Sequence, residues 1–358
     1  MLRELAKLSG GMLFLGGHVA DPETARLLAR DDAPPVRTPR RGRRLRHGGA
    51  RSGYDWRSPV ELLGLAAIWG GSFLFLRIAT PHFGPAPLVD LRLALGALVL
   101  TPFLWRERAR FPWSRWPQLA AIGLINTLIP FLLFAWSAER APAGVSAIVN
   151  SMAVPFAALA AFALFGERIG GRRLAGLLGG LVGVAVLASG DLAGASLGPA
   201  VAAGALAALF YGVSANVVKR YLADLPPIAV AAATLGSGAV LLAPFAAWTW
   251  PSAPIPLQAW LCVIAIGIVC TGIAYGVYFR LIQRVGAPRA TMVTYLVPVF
   301  GVLWAWLALG EALTLGMAAG GALILGGLLL AQSQRRERTV RRLEVVRVSA
   351  QPCVDCRG

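Results

Sequence analysis

Asp90 and Arg92 stand two residues apart inside 88-LVDLRLALGALVL-100, a stretch otherwise made of Leu, Val, Ala and one Gly. A charge in so apolar a run can bind an opposite charge, relay a proton or anchor a helix end. Helix positions i and i+2 lie on different sides, so this pair cannot neutralise itself along one face. A second polar set recurs at helical spacing. Thr291, Thr294, Tyr295 and Pro298 fall at i, i+3, i+4 and i+7 and share a face. The positions 144 residues earlier are Ala147, Asn150, Ser151 and Val154, in which Asn150 and Ser151 are the polar members. Thr271, Tyr275 and Tyr278 share another face. Their counterparts are Thr127, Phe131 and Phe134, with Asn126 beside them. Hydroxyls and amides can replace part of a solute's hydration without the full penalty of burying a charge.

The solvent around these residues follows from composition. Of 358 residues, 57% are hydrophobic and 14% charged, where a soluble domain carries about 25% charged residues. Mean hydropathy is +0.65. A helix needs about 20 apolar residues to cross the hydrocarbon. Ten segments meet that length: 60–79, 86–105, 117–136, 143–165, 172–189, 197–218, 227–250, 257–279, 287–309 and 314–333. Short connections rich in Gly, Pro or charge separate them. The expectation is an all-α membrane protein with the lipid bilayer as its partner.

Basic residues set the orientation. The segment before the first span holds 12 Arg or Lys, and the tail after the last holds seven. Between spans, Arg106, Arg108, Arg110 and Arg115 mark one connection. Arg168, Arg172 and Arg173 mark another, as do Lys219 with Arg220, and Arg280, Arg284 and Arg289. The intervening connections carry one basic residue, Arg140, or none. This alternation places both termini in the cytoplasm. The net charge of +17 therefore reports membrane sidedness, and no nucleic-acid partner is expected. The preference for Arg over Lys suggests a GC-rich genome, hence a bacterial inner (plasma) membrane.

Several chemistries lack their residues. His18, His47 and His82 show no ligand spacing, and Cys353 and Cys356 form one CxxC without the second pair that a structural zinc site needs. Cys262 and Cys270 read as core fillers. No GxxxxGK[ST] motif is present, so this chain does not hydrolyse ATP. No metal and no cofactor is expected. A membrane-embedded enzyme would need His, Asp or Glu clustered near one interface. A channel would need rings of like side chains. These two classes are the alternatives to a transporter.

An internal repeat favours the transporter. Residues 123–189 align with 267–333 at an offset of 144, with 16 identities in 67 ungapped positions. They include Thr127/Thr271, Gly166/Gly310 and Glu167/Glu311. The front of each half matches less well, 67-AIWGGS-72 against 208-ALFYGV-213 at an offset of 141. Five helices per half means that the second half enters from the opposite side. Inverted repeats of this kind build secondary transporters, with the substrate near midplane between the halves.

The two Gly-Glu pairs, "FGERI" and "LGEAL", each closing a fourth helix, resemble the drug/metabolite transporter superfamily. So do "IWGGSFLFLRIA", "LVDLRLALGALVLTPF" and "NTLIPFLLFAWSAERAPAGVSAIVNSMAVPFAALAAFALFGERI". Within it the closest likeness is to ten-helix exporters with paired EamA-type domains. The resemblance covers 60–333. It implies export of a small organic metabolite, an amino-acid-like compound or a drug, through a cavity lined mainly by the first four helices of each half. The expected domains are a basic, disordered cytoplasmic arm (1–58), five-helix repeats at 60–189 and 197–333, and a basic cytoplasmic tail (334–358).

Candidate residues follow. Asn126, Asn150, Ser151, Tyr275, Thr291, Thr294 and Tyr295 are candidates to line the cavity. Arg92, Asp90 and Arg77 are candidates for a charged gate or coupling site. Arg92 would attract an anion, and Asp90 a cation, a proton or Arg77. At 1.5 Å per residue, Arg92 lies roughly 9 Å from the start of its span, so it could instead snorkel to the headgroups. Pro155 and Pro298 are candidate helix hinges, one residue out of the 144 register. Glu167 and Glu311 read as local caps. Gly176 with Gly180, and Gly179 with Gly183, have GxxxG spacing, which serves packing within the chain or in a homodimer.

Overall fold

The structure is a computed structural model. It describes residues 57–330 except 110, 193 and 194. Apart from residues 57 and 58, the arm lies outside the described residues, as do the tail and its CxxC. Eight helices are long and apolar enough to cross a membrane: α1 (Pro59–Phe83), α2 (Pro85–Arg106), α3 (Trp113–Ala138), α4 (Ala143–Phe165), α5 (Gly171–Ala188), α6 (Gly198–Tyr221), α7 (Pro227–Trp248) and α8 (Leu257–Val285). Two shorter apolar helices follow, α9 (Val293–Leu309) and α10 (Leu315–Leu330). A two-residue β ladder, Asp191–Leu192 with Ala195–Ser196, joins α5 to α6. It is the one extended pairing among the described residues.

The ends of these helices have local causes. Gly166 and Gly310 terminate α4 and α9 at φ 65° and 64°, a left-handed geometry that only Gly adopts without strain. The "FGER" and "LGEA" pairs are thus C-caps at matched places. The expected connection at 80–85 is instead mostly helix, since α1 runs to Phe83 and the turn is made at Gly84. Tertiary packing holds this last turn, because the buried Phe83 ring meets Trp250 and Trp260 edge-on.

Three interruptions matter for the site. The π-helical segments Leu124–Leu128 in α3 and Ala265–Ile273 in α8 occupy matched positions. In each, a Thr hydroxyl donates to a carbonyl one turn back, Thr127 to Gly123 O and Thr271 to Ile266 O. The third is a turn in α4 at Ser151–Met152. Pro155 lacks the N–H that would bond the Ser151 carbonyl, so this break has a covalent cause. In α9 a turn at 291–292 precedes the helix, and Pro298 sits inside it without breaking it.

The helices pack through close approaches that occur twice. A Cβ on Gly70 of α1 would lie 2.7 Å from Gly301 N of α9, and one on Gly212 of α6 would lie 2.6 Å from Ala157 N of α4. Likewise Gly96 of α2 meets Thr271 of α8, while Gly238 of α7 meets Thr127 of α3. The front helices correspond at an offset of 142, one residue from the 141 read in the sequence. Gly176 and Gly183 of α5 abut Gly327 and Gly320 of α10, so this glycine seam is filled within the chain. The outside is apolar, with Leu98, Val240, Trp248, Leu257 and Leu315 among the exposed side chains. So much exposed apolar surface requires lipid to cover it.

Candidate functional site

A cavity of about 370 Å³ lies between the two halves. Five pairs from corresponding helices are part of its wall: Trp69 with Tyr211, Phe73 with Ala215, Phe131 with Tyr275, Asn150 with Thr294, and Ala153 with Val297. Helices α1 to α4 and α6, α8 and α9 contribute, and α5, α7 and α10 do not. The body is aromatic and the polar groups are few, as in small-molecule sites generally.

Arg92 is the one charged residue among the described ones that lines this cavity. It is only 8% exposed. Its Nε donates to Thr271 Oγ1 at 3.0 Å, and its Cζ lies 3.6 Å from the centre of the Phe131 ring. The side chain therefore turns into the bundle and not out to the headgroups. Burying a charge at the centre of a membrane helix costs about 3 kcal/mol on insertion scales. A desolvated cation–π contact returns about 2 kcal/mol and a hydrogen bond from a charged donor about 1.5–3 kcal/mol. Thr271 and Phe131 thus support the buried charge. By the 142 offset the counterpart of Arg92 is Thr234, so the charge belongs to one half alone.

The structure brings Asn150, Ser151, Tyr275, Thr294 and Arg92 together on this cavity. Ser151 Oγ is buried there without a hydrogen-bond partner. Thr294 turns its hydroxyl onto Thr291 O at 2.7 Å. Asn126, Thr291 and Tyr295 are not among the lining residues. Asn126 Oδ1 instead accepts from Ser214 Oγ at 2.9 Å, tying α3 to α6. Asp90 does not line the cavity and makes no ion pair with Arg92 or Arg77; its Oδ1 is buried without a partner. The candidate residues omitted Trp69, Ser72, Phe73, Phe131, Phe134, Tyr211 and Cys270. Trp69 and Tyr211 could have been paired from the sequence with the correct offset, because both sit in the "IWGG" and "FYGV" segments.

A larger hollow of about 730 Å³ runs along α2, α3, α6 and α7. Leu206, Phe245 and Thr249 on its wall are exposed, and no charged side chain lines it. It is a groove on the lipid-facing side.

The profile of the EamA-like transporter family matches residues 60–189 and 198–332. The chain belongs to this family. It is a membrane transporter of the drug/metabolite type and not an enzyme. A probable amino-acid metabolite efflux pump of Salmonella typhimurium is 28% identical over 279 residues, 74% of this chain and 91% of the relative. A probable terminal-alkyne amino-acid exporter of Streptantibioticus cattleyicolor is 27% identical, covering 73% of this chain and 89% of its own. One protein crystal structure, 25% identical, covers 78% of this chain and 99% of its own with a TM-score of 0.54.

In this EamA-like transporter a cluster of Arg77 and Glu311 ties helices together at one end of the bundle. Glu311, just beyond α9, accepts from Ala143 N at 3.1 Å and Gly144 N at 3.5 Å, capping α4 in the other half. Arg77 Nε lies 3.8 Å from the same carboxylate, and its Nη1 donates to the carbonyls of Ala138 and Glu139 at 2.8 and 2.9 Å. Four helices meet here. The matched Glu167 is exposed. At the opposite end, Arg284 pairs with Glu61 at 2.9 Å, and Arg115 pairs with Asp224 at 2.7 Å and bonds Tyr221 O. Among the described residues, no group of three His, Cys, Asp or Glu side chains could hold a metal.

Proposed function

We propose that the chain is a secondary transporter that works by alternating access and exports a small organic metabolite, an amino-acid-like compound or a drug across the bacterial inner membrane. Ten crossings form two inverted five-helix repeats, 60–189 and 197–333, with both termini cytoplasmic. The observation that supports this reading is the cavity, whose wall includes five matched pairs from the two halves around one charged side chain. Solute binds there to Arg92, Asn150, Ser151, Tyr275 and Thr294. The Arg77–Glu311 cluster closes the outer side, the turn at 151–152 ahead of Pro155 lets α4 bend, and the turn at 291–292 lets α9 swing at its start. The amino-acid names of the relatives support both the cargo class and the direction.

Counterflow in proteoliposomes tests the proposal, using amino acids and amino-acid-derived metabolites that raise the melting temperature of the purified protein. Saturable uptake stimulated by internal solute is expected. Uptake that rises linearly with concentration and ignores internal solute would identify a channel. Chemical conversion of the solute would identify an enzyme.

A further inference from the structure

Resting on the transport reading, we propose that the solute is an organic monoanion: a carboxylate on an aromatic or apolar body, without an ammonium group beside it. Arg92 is more than nine-tenths buried and reaches the cavity, and only its Nε is satisfied, by Thr271. Its two terminal nitrogens donate to no group among the described residues. That fork matches a carboxylate in a bidentate pair. Among the described residues, no carboxylate lines the cavity and none makes an ion pair with Arg92. The buried Arg92 charge therefore has no acidic partner among the described residues.

The same charge decides against a zwitterion. In an α-amino acid the ammonium sits one carbon from the carboxylate, so docking the carboxylate on Arg92 brings two cations together. At low dielectric that repulsion is strong. Among the described residues the cavity offers no acidic side chain to receive the ammonium; Asp90, two residues before Arg92, lies outside the lining. Neutral groups remain: Asn150, Ser151 and Thr294 for a hydroxyl, carbonyl or amide. Trp69, Phe73 and Tyr211 wall the rest with aromatic faces. An arylalkanoate or an N-acylated amino acid meets these terms, and a free amino acid does not.

The test is a charge series on one skeleton, read by quenching of tryptophan fluorescence and by calorimetry on purified full-length protein in nanodiscs. The probes are 3-phenylpropionate, L-phenylalanine, 3-phenylpropanamide and phenethylamine at neutral pH. The expected order places 3-phenylpropionate at least tenfold tighter than the amide and L-phenylalanine, with phenethylamine weakest. Arg92→Gln abolishes the preference for the anion over the amide, and Arg92→Lys retains part of it. The series on the unaltered protein stands even if Arg92→Gln fails to fold. Binding of L-phenylalanine or phenethylamine as tight as that of 3-phenylpropionate overturns the charge assignment while leaving a solute-binding transporter in place. An anion preference that survives in folded Arg92→Gln also overturns it. Failure of all four probes to bind, while other solutes still give counterflow, overturns the proposed class but not transport. Loss of counterflow as well would overturn both.

Discussion

If the proposed outer gate rests on Glu311, replacing this residue should open that end of the bundle. Its carboxylate caps α4 through two backbone N–H groups and approaches Arg77, and the two side chains are 15% and 27% exposed. Loss of a cap costs about 1 kcal/mol. Loss of a negative charge at a helix N-terminus costs about 0.3–1 kcal/mol. A partly exposed ion pair at this spacing adds at most about 1 kcal/mol. Glu311→Ala therefore weakens the closed arrangement by about 2 kcal/mol, roughly a thirtyfold shift toward the open one. Glu311→Gln keeps an acceptor for α4 and shifts it only about fivefold. Cys270 reports the change without engineering, because it lines the cavity and is 2% exposed. A membrane-impermeant thiol reagent added on the Glu311 side should label Cys270 faster in Glu311→Ala than in Glu311→Gln, and slowest in the unaltered protein. Cys262, buried outside the cavity lining, is the control for unfolding. Equal labelling rates at Cys270 in folded Glu311→Ala would refute the gate, as would parallel acceleration at Cys262.

Three further outcomes are expected. Gly70→Ala places a Cβ 2.7 Å from the Gly301 backbone and should destabilise by about 1–3 kcal/mol, whereas Gly64→Ala, with nothing within 4 Å, should stabilise by up to about 1 kcal/mol; thermal melts in one lipid environment compare them. Asn150→Ala should lower the transport rate at unchanged folded yield. Asn126→Ala should instead lower stability by about 1 kcal/mol through its lost bond to Ser214, and uptake and melting measured on both variants separate the two roles. Cysteines placed at Ser196 and at Arg220 should react with impermeant reagents from opposite membrane sides, and labelling from one side alone would break the inverted arrangement.

Composition and periodicity settled the environment of this chain. Long apolar runs have no stable place except in lipid, and a lipid-embedded backbone must satisfy its own hydrogen bonds, so helices follow. The matched Gly-Glu pairs marked where α4 and α9 end, because a left-handed cap needs Gly. Matched polar positions led to Asn150 and Thr294, since residues on one helix face keep that face in any packing. Helical spacing does not say which neighbour a face meets. That is why Asn126 and Tyr295 could be named with Asn150, although Asn126 is spent on Ser214 and neither lines the cavity. Nor does spacing reveal that Arg92 turns inward: a long flexible side chain at that depth reaches headgroup or cavity equally well. Only tertiary packing, which places Phe131 beneath the guanidinium and Thr271 against Nε, gives the inward side chain its partners. The glycine seam between α5 and α10 teaches the same point, because GxxxG spacing licenses close contact, and the partner was chosen by the chain's own return path through the fold.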